Sequence, residues 1–351
     1  MNSVSYNSDS SQIDSAIPSL EIILNYALTE LQIKKDMGGL TGIPSGFIAL
    51  DRITAGWQRP QLIILASRPA MGKTSFILSA LRNAAVDHGE PVAIFSLEMT
   101  SVQLVNRLIS AEAEIDAEKI KKGALAPHEW TQLSHKVQRL TDAPIFIDDT
   151  TDLNIEQLRE KCLRLIEEHG VKLIAIDYLQ LMLPINIKGS YSEYEELSKL
   201  TRGLKKLSKE LNISIIALSQ LSRSVETRIG DKKPSLSDLR GSGTIEDDSD
   251  MVMFLYRPEY YNITADENGN STAGLGEVII AKNRYGTLDT IQLRFINKFT
   301  KFCDLDSYFT PEVNGLSSFD SPQPSAGSVF KSKAKIISNF GNADPSQETP
   351  F

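Results

Sequence analysis

Cysteine is nearly missing from this chain: Cys162 and Cys303 stand alone among 351 residues, with no paired spacing. That argues against a disulfide framework and fits a reducing compartment. Histidine is equally thin, and His88, His128, His135 and His169 are too scattered to read as a metal-ligand set. An excess of positive charge is lacking as well. The formal net charge of −8 does not point to nucleic acid, although a global balance says little about a local cleft. The most apolar stretches are broken by Lys73 or Asp177, so none is long enough to cross a bilayer. The N-terminus lacks the basic-then-apolar order of a signal peptide. What is present is ordinary for a globular chain, 41% hydrophobic and 23% charged. The expectation is a soluble cytosolic protein (or one of an organelle stroma, if plastid-encoded) with no membrane partner. The length suits one large domain with tails or two small domains.

The most informative stretch is Leu62 to Ile77, LIILASRPAMGKTSFI. An apolar run reads as a short buried strand, a tight loop follows, and Lys73-Thr74 opens a helical pattern. This is the P-loop order of strand, phosphate-wrapping loop and helix. Loop amides and a helix N-terminus concentrate unpaired N–H donors and partial positive charge where phosphates would sit. Ser67, Arg68, Pro69, Ala70, Met71, Gly72, Lys73, Thr74 and Ser75 are therefore the expected nucleotide-binding residues. Lys73 would reach the β- and γ-phosphates of ATP, and the Thr74 hydroxyl would hold Mg²⁺. Ser67 stands where the first glycine is usual.

Residues 1–16 are rich in Ser, Asn and Asp and read as disordered. A linker helix is expected over 17–37, with Pro18 in its first turn and Gly38-Gly39 ending it. Its apolar stripe needs a partner, either its own domain or a neighbouring subunit. The main domain is expected over 38–310, and the Ser/Pro/Gly-rich remainder, 311–351, as an unstructured tail. Within the domain, strand-like and helix-like segments alternate, the signature of a parallel α/β sheet. The strands expected are 62–66, 92–96, 145–147, 173–176, 213–218 and 251–256. The helices expected are 73–87, 101–111, 129–140, 155–169 and 193–211, with Asn154 and Gln157 as a cap. Past Glu277, two β-like runs joined near Arg284-Tyr285-Gly286 predict a hairpin at the end of the sheet.

In an open α/β sheet, ligands bind beyond the carboxyl ends of the strands. Three polar residues close apolar runs: Glu98 after VAIFSL, Asp177 after LIAI and Gln220 after IIALS. Asp177 suits a second metal-shell acid, Glu98 a general base for the attacking water, and Gln220 a γ-phosphate hydrogen-bond donor. Each alone reads better as a solvated strand end or helix cap. Three around one P-loop favour a site.

At this point the chain resembles a known family. TGIPSGFIALD (41–51), RPAMGKT (68–74), SLEM (96–99), IDYLQLM (176–182), ALSQLSR (217–223), DLRGSGTIEDDSDMVMFLYR (238–257) and AKNRYGTLDT (281–290) resemble, in order, the ATPase half of replicative DnaB-type helicases. The resemblance covers about residues 38–306. It implies a RecA-like P-loop fold: a mostly parallel twisted sheet flanked by helices, with a C-terminal β-hairpin. It further implies a homo-hexameric ring driven along single-stranded DNA by ATP hydrolysis. The family's roles fall on Lys73, Thr74, Glu98, Asp177 and Gln220 as above. Lys282 and Arg284 match the family's trans-acting pair, which reaches ATP held by the adjacent subunit.

The resemblance puts 238–243 in the central channel, where Arg240 and the amides of Gly241 and Gly243 would track phosphates. Lys188 is the cation of the other channel loop. Members usually carry Glu at the position of Gly241, a departure that bears on loop stiffness. The cations Arg223, Arg228, Lys232, Lys233 and Arg240, mixed with Glu226, Asp231 and Asp238, would alone read as a solvated loop. The row Lys199, Arg202, Lys205, Lys206 and Lys209 reads as an exposed helix face. About sixteen residues precede the linker helix, too few for the collar domain of typical members. The expectation is a collar-less form, one half of a divided product or a fragment, with weak primase or loader contact. The reading is thus an ATP-hydrolysing helicase motor. A RecA-like recombination or regulatory ATPase and a non-catalytic ring module are the alternatives.

Overall fold

Leu62 to Ala66 have no solvent exposure, and neither do most residues of the strands beside them. This is why their sequences read as unbroken apolar runs: a parallel strand covered on both faces has no polar side to alternate with. The computed structural model describes residues 17–182, 190–228, 232–239 and 242–308. Lys188, Arg240, Gly241 and the two expected disordered ends lie outside these residues.

In chain order the elements are α1 (Leu20–Asp36), α2 (Ile48–Thr54), β1 (Gln61–Ser67), α3 (Lys73–Arg82), β2 (Val92–Ser96), α4 (Ser101–Ala113), α5 (Ala117–Lys122) and α6 (Pro127–Thr141). There follow β3 (Ile145–Asp148), α7 (Ile155–His169), β4 (Leu173–Asp177), α8 (Ser190–Leu211), β5 (Ser214–Gln220), α9 (Ser224–Thr227) and α10 (Ser242–Asp248). The chain then forms β6 (Met251–Tyr256), β7 (Leu275–Asn283), β8 (Asp289–Ile296) and β9 (Lys301–Asp304). These nine strands make one sheet in the order β3-β2-β4-β5-β1-β6-β7-β8-β9. The first six run parallel, and β7 to β9 are added antiparallel.

Every strand expected from the sequence is present, most extended by a residue or two. The helices differ more. α3 passes at Asn83 into a π-helical turn through Asp87 instead of continuing as α-helix. α2 and α5 carry no sequence expectation, and a third antiparallel strand, β9, lies beyond the expected hairpin. Asn154 and Gln157 do form the reciprocal cap of α7, at 2.9 and 3.0 Å.

The sheet separates two cores. Ile63 and Leu65 face one, with Phe76, Leu81 and Leu104. Leu62 and Ile64 face the other, with Leu158, Leu204 and Leu207 of α7 and α8. α1 contributes nothing to either: none of its residues is buried, and Leu20, Ile23, Leu24, Leu28 and Leu31 are all exposed. Among the described residues, no helix is long and apolar enough to cross a membrane.

Candidate functional site

Parallel pairing brings the carboxyl ends of four neighbouring strands into line. Ser67 of β1 pairs with Gln220 of β5, and Ser96 of β2 pairs with Asp177 of β4. The polar residues that close those apolar runs are therefore side by side, although up to 153 positions apart in sequence (Ser67 and Gln220). They open onto a cleft of about 340 Å³ lined by Pro69, Ala70, Gly72, Lys73, Thr74, Ser75, Glu98, Asp177 and Gln220, among others.

The loop between β1 and α3 is held by its own backbone. Ala70 and Gly72 both take positive φ, 63° and 93°. A Cβ on Gly72 would stand 3.1 Å from the Phe302 ring, a tight contact that adds to the strain a side chain would meet at this positive φ. Phe302 is fixed there by its N–H, which donates to Ser79 Oγ at 3.1 Å. Ser67 needs no glycine, because it ends β1 in extended pairing. Its carbonyl accepts from Lys73 Nζ at 3.2 Å.

The Thr74 hydroxyl donates to Asp177 Oδ2 at 2.7 Å. Burial pulls the Lys73 ammonium below its usual range, against the opposing pull of Asp177 and Glu98. Burial likewise pushes the Asp177 carboxyl up, against the Thr74 hydrogen bond and Lys73. Glu98 sits on a tight turn: Ser96 Oγ accepts from Met99 N–H at 3.1 Å and donates to Met99 O at 2.8 Å. A reciprocal cap, Thr100 with Gln103, then starts α4.

A hydroxyl and a carboxylate at this spacing are hard oxygen donors of the kind Mg²⁺ takes alongside phosphate and water. With Lys73 beside them, and Glu98 and Gln220 lining the same cleft, the residues fit a magnesium-bound polyphosphate.

Several expected residues are placed otherwise. The Arg68 side chain turns into the protein, with Nε on Glu226 at 2.9 Å and Nη1 on the Leu221 carbonyl at 2.8 Å. Met71 is buried. Neither they nor Ser67 line the cleft with their side chains. Lys282 and Arg284 do not line it either. They lie at the other end of the sheet, since Asn283 pairs with Met251, which is in register with Ile63 near the start of β1. Gly243 is exposed near the Tyr194 hydroxyl. Of the loop cations, Arg228 pairs with Asp238 at 2.5 Å and Lys233 with Glu277 at 2.9 Å. Lys205 is not on an exposed face: its side chain is 14% exposed and pairs with Asp250.

Two arginines in the cleft escape a reading of the sequence. Arg107 of α4 is drawn below its usual range by burial, against the pull of Asp177 and Glu98. Arg257 stacks over the Phe295 ring at 4.0 Å and donates to the Ala70 carbonyl at 3.4 Å. A single arginine on a helix or after a strand carries no pattern in the sequence.

Comparisons with known proteins place the chain in a family. The family described as "DnaB-like helicase C terminal domain" matches residues 42–304. The "Replicative DNA helicase DnaB" of Geobacillus stearothermophilus is 46% identical over 288 residues, covering 82% of this chain and 62% of the relative. A solved structure of an isolated ATPase domain superposes with a TM-score of 0.75 at 37% identity, covering 83% of this chain and all of that one. A second structure is titled for a DnaB-like replicative helicase and its interactions with primase. It superposes with a TM-score of 0.72 at 37% identity, over 84% of this chain and 69% of that one. The chain spans about three-fifths of the length of the curated relatives it matches. The architecture is the RecA-like α/β fold that the motif order implied.

Proposed function

The chain belongs to the family of DnaB-like helicase C-terminal domains, and from that membership we propose that it is the ATP-hydrolysing motor of a replicative DNA helicase. The observation that carries the reading is the Thr74–Asp177 hydrogen bond of 2.7 Å beside Lys73 in a cleft that also holds Glu98. The loop from Ser67 to Ser75 wraps the phosphates. Lys73 neutralises β- and γ-oxygens, Thr74 and Asp177 hold magnesium, and Gln220 donates to the γ-phosphate. Mg²⁺ held there would neutralise the charge that develops on the phosphate oxygens. Glu98 takes the proton of an attacking water as the new O–Pγ bond forms and the bond from Pγ to the bridging β-oxygen breaks.

Lys282 and Arg284 act on the nucleotide of a neighbouring copy. From Ile63, level with their hairpin, to Ser67 is four residues of β1, ~13 Å of strand before the loop begins, so they are too far to serve their own cleft. The neighbour is a second copy of this chain, held in part through the exposed apolar stripe of α1, and the closed assembly is a hexamer. Single-stranded DNA is the track, contacted by Arg240, Gly241, Gly243 and Lys188. Arg240→Ala should weaken single-strand binding and flatten its salt dependence while leaving nucleotide affinity intact, since fewer counterions are released. Primase is carried to this chain as a partner to be tested by mixing.

The test of the whole reading is unwinding of a forked duplex, with each tail supplied alone, with and without ATP. Strand separation that needs ATP and one tail supports it, and ATP turnover without strand separation on any fork overturns the helicase assignment. Mixing Lys73→Ala with Arg284→Ala protein tests the shared site. Part of the ATPase should return in mixed rings, because some interfaces pair an intact loop with an intact finger. Verified mixed rings with no activity would overturn independent trans action.

A further inference from the structure

We propose that Asp250 is a positioning residue for Arg284: a buried carboxylate that sets the direction of the finger guanidinium before a neighbour's nucleotide arrives. The inference rests on the finger reading given above. Asp250 precedes β6 and is 1% exposed. Its Oδ2 accepts from the Leu62 N–H at 2.8 Å and from Lys205 Nζ at 2.5 Å. Its Oδ1 has no hydrogen-bond partner among the described residues and lies 3.5 Å from Arg284 Nη1. The main chain repeats the attachment: the Arg284 N–H donates to the Asp250 carbonyl at 2.9 Å, and the Asp250 N–H donates to the Leu62 carbonyl at 2.9 Å. One residue thus grips both the backbone and the side chain of Arg284 and ties both to the start of the strand that leads to the phosphate loop.

The rest of the cradle comes from α10. Arg284 Nη2 donates to the Asp247 carbonyl and Lys282 Nζ to the Glu246 carbonyl. Both acceptors lie in the last turn of the helix, where carbonyls lack intrahelical partners and attract cations. The Arg284 side chain stays 42% exposed, so its outer edge remains open to a ligand. A purely structural Asp250 would need Lys205 and the Leu62 amide alone. That reading leaves Oδ1 buried, charged and unexplained, at a cost that burial of polar atoms imposes. Directing an arginine that would otherwise sample many rotamers accounts for it.

The test measures single-turnover ATP hydrolysis and ATP affinity by the full chain in its assembled form, for Asp250→Asn, Lys205→Met, Arg284→Ala and Asp250→Asn/Arg284→Ala. Misplacing a catalytic group by about 1 Å can cost ~10²-fold, so Asp250→Asn should lower the rate by roughly 10- to 100-fold with ATP affinity unchanged. In the Arg284→Ala background it should cost nothing further. Lys205→Met should lower the melting temperature but leave the rate close to parental. If Asp250→Asn does not melt cooperatively, Asp250→Glu carries the test, because it keeps the charge but shifts the carboxylate by one methylene from its place beside the guanidinium. A parental rate in the Asp250 variant, an equal loss in Lys205→Met, or a full multiplicative loss without Arg284 would each overturn the positioning role. Arg284→Ala turning over ATP at the parental rate would instead sink the finger reading, and this proposal with it.

Discussion

Across the carboxyl ends of the parallel strands, Thr74 satisfies Asp177 and Lys73 satisfies the Ser67 carbonyl. At the amino end of β6, Lys282 and Arg284 meet main-chain carbonyls of α10 and one half-used carboxylate. The first region is closed on itself: each of these polar groups has a partner that a phosphate or a metal could replace. The second is a pair of cations gathered at a strand turn, with Asp250 as the ion-pair partner of Arg284 and the carboxylates of Glu246 and Asp247 nearby. Opposite ends of one rigid sheet cannot fold onto each other. On the trans reading proposed above, two half-complements at opposite ends of a domain are completed by stacking domains, one copy's turn against the next copy's cleft.

The sharpest way to break that comparison is at the turn. Arg284→Ala should lower ATP turnover by ~10³–10⁵, the range of arginine fingers in phosphoryl transfer, with nucleotide binding retained in a fluorescent-nucleotide titration. Turnover within a few-fold of parental would make the turn mere surface charge. At the cleft, Glu98→Gln should keep nucleotide affinity and lose ~10²–10⁴ in rate, as loss of a general base does. Lys73→Ala at the same end should lose the affinity itself, so the two variants separate in one titration. Phe302→Ala probes the wall between loop and β9. Phe302 packs on Phe76 and Phe295 and stands under Gly72, and its truncation should cost ~3–5 kcal/mol in denaturant unfolding. A cost under ~1 kcal/mol would mean that the wall collapses to fill the space.

The smallest effect concerns a pair away from both ends. Burial pushes the Asp238 carboxyl up, but the Ser235 amide and hydroxyl and Arg228 outweigh it and hold it below its usual range. A depressed folded pKa contributes stability in full above the unfolded value of ~3.9, and loses it as pH falls through the folded value. The parent should therefore lose stability below about pH 4 more steeply than Asp238→Asn. Parallel acid-melting curves would remove the pair from the stabilising contacts.

Much of the architecture can be read from residues alone, because sequence signals are strong where the physics is local or one-dimensional. Doubly covered strands are apolar throughout, and a loop between such a strand and Lys73-Thr74 has few other uses. The polar residue closing each strand marks the cleft because parallel pairing puts all carboxyl ends together. What escapes is shorter or lies between elements. α5 has its Asp116 cap and its Gly123 stop, but six residues give no periodicity to read. α2 begins at Ile48, and the residue before it, Phe47, offers no side-chain cap. Lys205 reads as one more cation on a polar face, and its role depends on Asp250, a partner 45 positions away. Arg107 and Arg257 gain meaning only from what stands opposite them. Identity of residue is local information, and ion pairing across elements is not.

The consequence of α1 lies outside the domain. It is a 17-residue helix without a buried residue and without a side-chain N-cap, held by little more than a Glu30–Lys34 pair at 2.8 Å. Isolated helices of about this length are marginal in water, so its amide protons should exchange quickly wherever its stripe is uncovered. Covered by another copy, the same protons gain protection that grows with protein concentration by mass action. On the assembly through α1 proposed above, hydrogen exchange along 20–36 would read out subunit association from within one chain. Its dependence on dilution gives the dissociation constant, and its dependence on time gives the rate at which copies trade places.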